Sequence, residues 1–150
     1  MKAQEMWSAY KKINPEIGHE IDAWAFGAEA DELAKLVLAG QKTATASSYD
    51  LYEVDGEPLP QAGRFDVILD SRDEAVCIVE ITKVTLQPFH QVSEEHAFKE
   101  GEGDRSLSYW RKVHETLFSQ WLAEANVTFT EESLVVLEEF RVVYPSSPNT

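Results

Sequence analysis

Three features of the sequence predict an α+β fold, a small curved sheet or barrel interrupted by helices. Apolar residues recur at helical spacing near the N-terminus and again over residues 106–125. Elsewhere the spacing gives way to short runs rich in Val, Ile and Thr, bounded by Gly, Pro and Asp, as strands and their turns require. No repeat, low-complexity block or long linker divides the 150 residues, a length that suits one domain because domains cluster around ~100–150 residues. Residues 1–150 therefore read as a single domain with an N-terminal helix, a core over about 20–145 and a polar tail, 146–150, expected to be mobile.

Each element has a local reason. Met6, Trp7, Tyr10 and Ile13 share one face of a first helix, about 4–13, that stops at Asn14-Pro15 because a residue before proline is biased away from the helical region. Asp22 to Gly27 reads as an extended or irregular entry to a second helix, Glu29 to Ala39. There Leu33, Leu36 and Val37 stand at core spacing, and Gly40 takes the position favoured just past a helix end. Thr43 to Ser48 reads as a strand, and Glu53 to Gly63, which holds Gly56, Pro58, Pro60 and Gly63, as a loop. Arg64 to Asp70 and Ala75 to Leu86 form two strands around the polar turn Ser71–Glu74. Ser93 caps a short helix with Glu94 and Glu95 in its first turn and Gly101 at its end. Leu107, Trp110, Leu117, Phe118 and Trp121 make the apolar stripe of a long helix from Ser106 to about Ala125. Leu134 to Tyr144 is the last strand, closed by Pro145.

Charge narrows the partners. Lys and Arg number 13 against 27 Asp and Glu, a formal charge of −14. Nucleic-acid affinity comes largely from basic side chains that neutralise phosphates, and here they are scarce and scattered, so long phosphate backbones are disfavoured as ligands. With 43% hydrophobic and 11% aromatic residues the chain has the material for a core, unlike disordered acidic sequences. No stretch approaches the ~18–20 apolar residues of a membrane span, and the first residues lack the apolar segment of a signal peptide. A soluble cytoplasmic protein with no membrane partner is the expectation. Cys77 is the one cysteine and is expected to pack as a small apolar side chain in a reducing compartment.

Three polar constellations carry candidate chemistry. In Gly40-Gln41-Lys42-Thr43-Ala44-Thr45, a lysine long enough to fold over the strand edge could meet Thr45 as base and nucleophile, since a threonine hydroxyl needs a neighbouring amine or imidazole to lose its proton. The same residues also make an ordinary helix end and strand start. The segment Glu94 to Asp104 holds more carboxylates than a helix cap requires, and Gly101 and Gly103 let the backbone turn to aim Glu100 or Glu102 inward. A carboxyl in an apolar pocket has its pKa raised and serves as a general acid; the alternative is a solvated acidic face. His96 and Glu100 share a helix face, but neither the two-histidine zinc helix nor the EF-hand spacing is present, so no metal is expected. Trp110 and His114, one turn apart, either line a pocket that stacks a planar base or form a core pair. His19 and His90 stand in loops without identifiable partners.

The ordered series Gly40-x-Lys42-x-x-Thr45, Val79-Glu80-Ile81, Glu95-His96-Ala97 with Glu100-Gly101-Glu102-Gly103-Asp104, Ser106-Leu107, Trp110-Arg111-x-x-His114 and Phe140-Arg141-Val142-Val143 resembles the ASCH domain family, over roughly residues 20–145 and closest to its longer bacterial branch. The resemblance implies a PUA-like β-barrel with flanking helices and a cleft at the motif. It also implies a role with RNA or in coactivation. A shorter branch of the family includes an amidohydrolase that removes the acyl group from N4-acetylcytidine. By similarity Lys42 matches its proton acceptor, Thr45 its nucleophile and Glu100 its proton donor, without a cofactor. Ser47 stands where that branch has an arginine two residues after the threonine, which removes a planar two-toothed donor. Substrate contacts are then expected from Ser47, Glu102, Asp104, Trp110 and His114. Hydrolysis of a small acylated nucleoside or related amide is the leading expectation. Non-catalytic binding of RNA or a nucleotide is the alternative, and a branch with ribonuclease activity keeps strand cleavage open.

Overall fold

The computed structural model describes residues 1–17 and 21–145, so the tail 146–150 and His19 lie outside the described residues. Helix α1 (Ala3–Ile13) is followed by β1 (Asp22–Ala25), α2 (Ala30–Leu38), β2 (Ala44–Ser48), α3 (Tyr49–Asp55), β3 (Phe65–Leu69), β4 (Ala75–Pro88), a single 3-10 turn at Phe89–Gln91, α4 (Glu94–Glu100), α5 (Leu107–Glu124) and β5 (Leu134–Tyr144). The strands form one sheet in the order β1-β3-β4-β5-β2, an open half-barrel with β1 and β2 as its edges. β1 runs parallel to β3 and every other pair is antiparallel.

Side chains alternate across a strand, so each helix is assigned to a face by the residues it covers. On one face, Met6, Trp7 and Tyr10 of α1 pack on Val67 and Ile78, while farther along β5 the residues Val135 and Leu137 meet Trp110 and Phe118 of α5 and Ala97 of α4. On the opposite face, Ala34 and Val37 of α2 cover Ile68, Cys77, Val79 and Phe140. Burial pushes the Cys77 thiol up to about 12, so it packs as an inert apolar group. Among the described residues no helix is long and apolar enough to cross a membrane.

One expectation fails locally. Residues 53–55, read as the start of a loop, are the end of α3, which follows β2 directly and stops at Gly56 in the left-handed conformation. Its 7 residues make about two turns, too short for a 3.6-residue period to stand out from the surrounding polar sequence. The loop proper is therefore residues 56–64. Strand β4 is also longer than read, reaching Pro88 rather than Leu86 because β5 continues to pair with it through Leu134.

Helix α1 precedes the predicted core, and its aromatic face is nonetheless the cover of β3 and β4. Trp7 is 2% exposed and contacts the Tyr10 and Phe65 rings. Trp7→Ala should cost ~3–5 kcal/mol, as large-to-small core changes do. Urea unfolding measures it, and an unchanged midpoint would mean that α1 is an appendage.

Candidate active site

Lys42 sits in the bend between α2 and β2. Gly40 ends α2 with φ 80°, and the amides of Gln41 and Lys42 both donate to the Leu36 carbonyl at 3.0 Å. The bend is then tied to the end of α4: the Thr43 amide donates to the Lys99 carbonyl at 2.8 Å and Gln41 Nε2 to the Gly101 carbonyl at 2.6 Å. Gly101 has φ 72°, and a Cβ there would run into the Gln41 carbonyl, so only glycine permits this approach. Two segments 58 residues apart in sequence are thereby held against each other.

Between them lies a buried charge network. Lys42 and Glu100 are each 1% exposed. Lys42 Nζ donates to the Ala44 carbonyl at 2.9 Å, lies 3.4 Å from Glu100 Oε1 and makes its shortest contact, 2.8 Å, with Glu102 Oε2. Glu100 Oε2 accepts from His96 Nε2 at 2.7 Å and from Trp110 Nε1 at 2.6 Å, while His114 Nε2 lies 3.6 Å from Oε1. An ionised carboxylate only accepts, so the His96 nitrogen facing it carries a proton. His114 Nδ1, 2.8 Å from the Trp110 carbonyl, likewise donates.

These partners reverse the expected titration of Glu100. Burial alone would raise its pKa, but the Lys42 ammonium, the His96 hydrogen bond and the two imidazoles outweigh it and hold the carboxyl down at about 2. The expectation of an apolar pocket with a raised pKa is corrected here: the pocket is buried yet lined with donors. Glu100 is an acceptor in the resting protein.

Thr45 and Ser47 point from β2 onto the α2 face of the sheet. Cross-strand partners share a face, and Thr45 pairs with Glu138 and Ser47 with Val136. Ser47 Oγ shares a 2.9 Å hydrogen bond with the Tyr52 hydroxyl of α3. Asp66 on β3 accepts from Trp24 Nε1 at 3.0 Å. Lys42 adjoins this face as well, since its Nζ lies 5.3 Å from the Phe26 ring centroid and its charge acts on Glu138. Burial, with Asp66 adding to it and Lys42 opposing, pushes the Glu138 carboxyl up to about 7. Burial also raises Asp66, against the Trp24 hydrogen bond.

The structure therefore brings Lys42, Glu100 and Glu102 into direct contact and sets Thr45 one residue beyond the carbonyl that Lys42 holds. Among the described residues no hydrogen bond joins Lys42 to Thr45. Trp110 and His114 stack at 4.2 Å between ring centroids, Trp110 also stacks on Phe89 at 5.4 Å, and Trp110 is 3% exposed. They are a core pair that orients Glu100, and neither offers a free ring face. Asp104 is exposed and accepts from the Ser106 amide at the start of α5. Among the described residues no group of His, Cys, Asp and Glu is arranged to hold a metal ion. A cavity of about 440 Å³ opens beside the bend, lined in part by Val37, Gly40, Lys42, Thr43 and Phe140.

Removing one partner of a buried ion pair leaves the other uncompensated, so Lys42→Met should cost ~3–5 kcal/mol, and Lys42→Met with Glu100→Gln should recover part of it. The folded pKa of Glu100 lies at about 2 against an ordinary 4.5. Its contribution to stability is full above pH 4.5 and lost as pH falls towards 2. Urea unfolding across that window should show a slope in the wild type that Glu100→Gln flattens. Equal slopes would contradict the network.

The ASCH domain family matches residues 22–144, nearly the whole sheet and every side chain of the site. The crystal structure of an ASCH domain from Lactobacillus crispatus is similar at 35% identity and a TM-score of 0.86, covering 94% of this chain and 93% of that one. A crystal structure of an Enterococcus faecalis protein is similar at 35% identity and a TM-score of 0.86, covering 93% of this chain and 86% of that one. No curated protein matches. With its half-barrel, its Lys42 bend and its Glu100 helix all inside the matched span, the chain belongs to the ASCH domain family.

Proposed function

We propose that this ASCH domain hydrolyses the amide bond of a small N-acylated nucleoside or a related neutral amide. The observation that supports it most is the setting of Lys42: a buried amine beside the residue that precedes Thr45, its charge already met by Glu100 and Glu102. A lysine so neutralised has little attraction left for phosphate, and the chain's formal charge of −14 would repel one. A ligand without charge meets neither obstacle.

The chemistry follows from the same contacts. When substrate displaces water, the buried Lys42 loses screening, and passing its proton to Glu102, the carboxylate nearest to it, neutralises both groups. Lys42 is then a free amine. It takes the proton of Thr45 Oγ as that oxygen attacks the acyl carbon, and an acyl-enzyme forms on Thr45. Ser47 and Tyr52, bonded to each other on the same face, take the place of the arginine in orienting the substrate.

Wild type, Lys42→Arg, Lys42→Ala and Thr45→Val should be compared on N-acetylated nucleosides by liquid chromatography. Guanidinium stays protonated and cannot act as a base, so Lys42→Arg should fail nearly as badly as Lys42→Ala, with Thr45→Val inactive. Activity should change little between low and moderate salt, because no phosphate contact drives binding. Full turnover by Lys42→Arg would remove Lys42 as base. No turnover by the wild type, with salt-sensitive RNA binding instead, would favour a binding module.

A further inference from the structure

The leaving amine of such a reaction must receive a proton, and Glu100 is poorly placed to give one. Its two oxygens are occupied by Lys42, His96, Trp110 and His114, and it is a carboxylate at rest. On the adjoining face, Glu138 has the opposite character. It is 6% exposed, yet among the described residues no hydrogen bond reaches its carboxyl oxygens. Burial without donors disfavours the anion and shifts the carboxyl towards its protonated form. It is also the direct cross-strand partner of Thr45, which puts the two side chains about 4.5–5.5 Å apart at Cβ and on one face.

We infer that Glu138 is the general acid of this site, giving its proton to the nitrogen that leaves as the acyl group passes to Thr45. This assignment rests on the hydrolytic reading above. In acylation the Thr45 Oγ–carbon bond forms, the carbon–nitrogen bond breaks, Lys42 holds the Thr45 proton and Glu138 supplies the proton of the departing N–H. In deacylation water attacks the acyl carbon, its proton returns to Glu138, and Thr45 Oγ leaves with the proton held by Lys42. Both groups end as they began.

The surroundings of Glu138 fit that cycle. Asp66 from β3 and Tyr52 from α3 are the acidic groups facing it, and burial and the Asp66 charge favour its neutral form. Lys42 is the cation facing it and opposes them. On the neighbouring strands its register partners are Thr45 and Val84, which carry no charge. A protonated group is thus available near neutral pH, and once ionised it has one cation within electrostatic reach. β2 is an edge strand, and Thr45 and Ser47 are only half-buried, so substrate has an approach to this face.

Leaving-group dependence tests the assignment. A nitrophenolate leaves without a proton, whereas an amine does not, so 4-nitrophenyl acetate and an N-acetylated nucleoside should respond differently to Glu138→Gln, a replacement of nearly the same shape. The variant should keep ester acylation, read as the burst of nitrophenolate, within a few-fold and lose amide acylation, read as kcat/KM, by about 100-fold or more, the usual contribution of a general acid. Wild-type kcat/KM on the amide should fall as pH rises through neutrality, and the ester should not follow it. Thr45→Val should lose both substrates. If Glu138→Gln loses both or neither, the acid role is overturned, with loss of both marking a structural part. If the wild type cleaves neither, the hydrolytic reading fails first and takes this assignment with it.

Discussion

A lysine ammonium with 1% exposure has to be neutralised where it stands, and the polar interior of this protein is arranged around that requirement. Glu100 and Glu102 supply the counter-charge from the far side of the sequence. Glu100, once buried, needs donors of its own, which are His96 one turn earlier on α4 and Trp110 on α5. Trp110 is in turn held by His114 and Phe89. One charge thus links the α2–β2 bend, α4 and α5, and the glycine at 101 is the backbone condition for that approach.

The half-barrel separates two kinds of carboxyl group. Glu100 lies among donors and is held ionised, while Glu138 and Asp66 lie on a face where burial outweighs their few partners and raises both. Lys42 is the group whose charge reaches both sets. A carboxyl held ionised and a carboxyl pushed towards its protonated form need opposite environments, and this fold supplies both around one lysine. Thr45 stands on that strand with Glu138 as its partner across the ladder.

Much of this was legible in the sequence because local rules and tertiary structure agree. Gly40 and Gly101 end their helices as their positions foretold, Ser93 and Ser106 cap the helices they precede, and the stripe through Trp110 and Phe118 is buried. The meeting of Lys42 with Glu100 and Glu102 was legible only through the resemblance, since spacing cannot report a contact between residues so far apart. The ionised state of Glu100 was not legible, because it depends on donors from α4, α5 and the bend at once. Glu138 was missed although it left a signal: Glu138-Glu139 interrupts a strand that is apolar apart from Arg141, and alternation forces one of the pair onto the buried side. Helix α3 left no comparable trace, being short and polar.

In the proposed reaction Thr45 takes the acyl group of a neutral amide, a step that covalent capture reads out. Wild-type protein mixed with an N-acetylated nucleoside and quenched in acid within the first turnovers should show, by intact mass and peptide mapping, one acetyl group on Thr45, absent from Thr45→Val. Release of acetate by the wild type without an adduct on Thr45, and at an undiminished rate in Thr45→Val, would contradict the account.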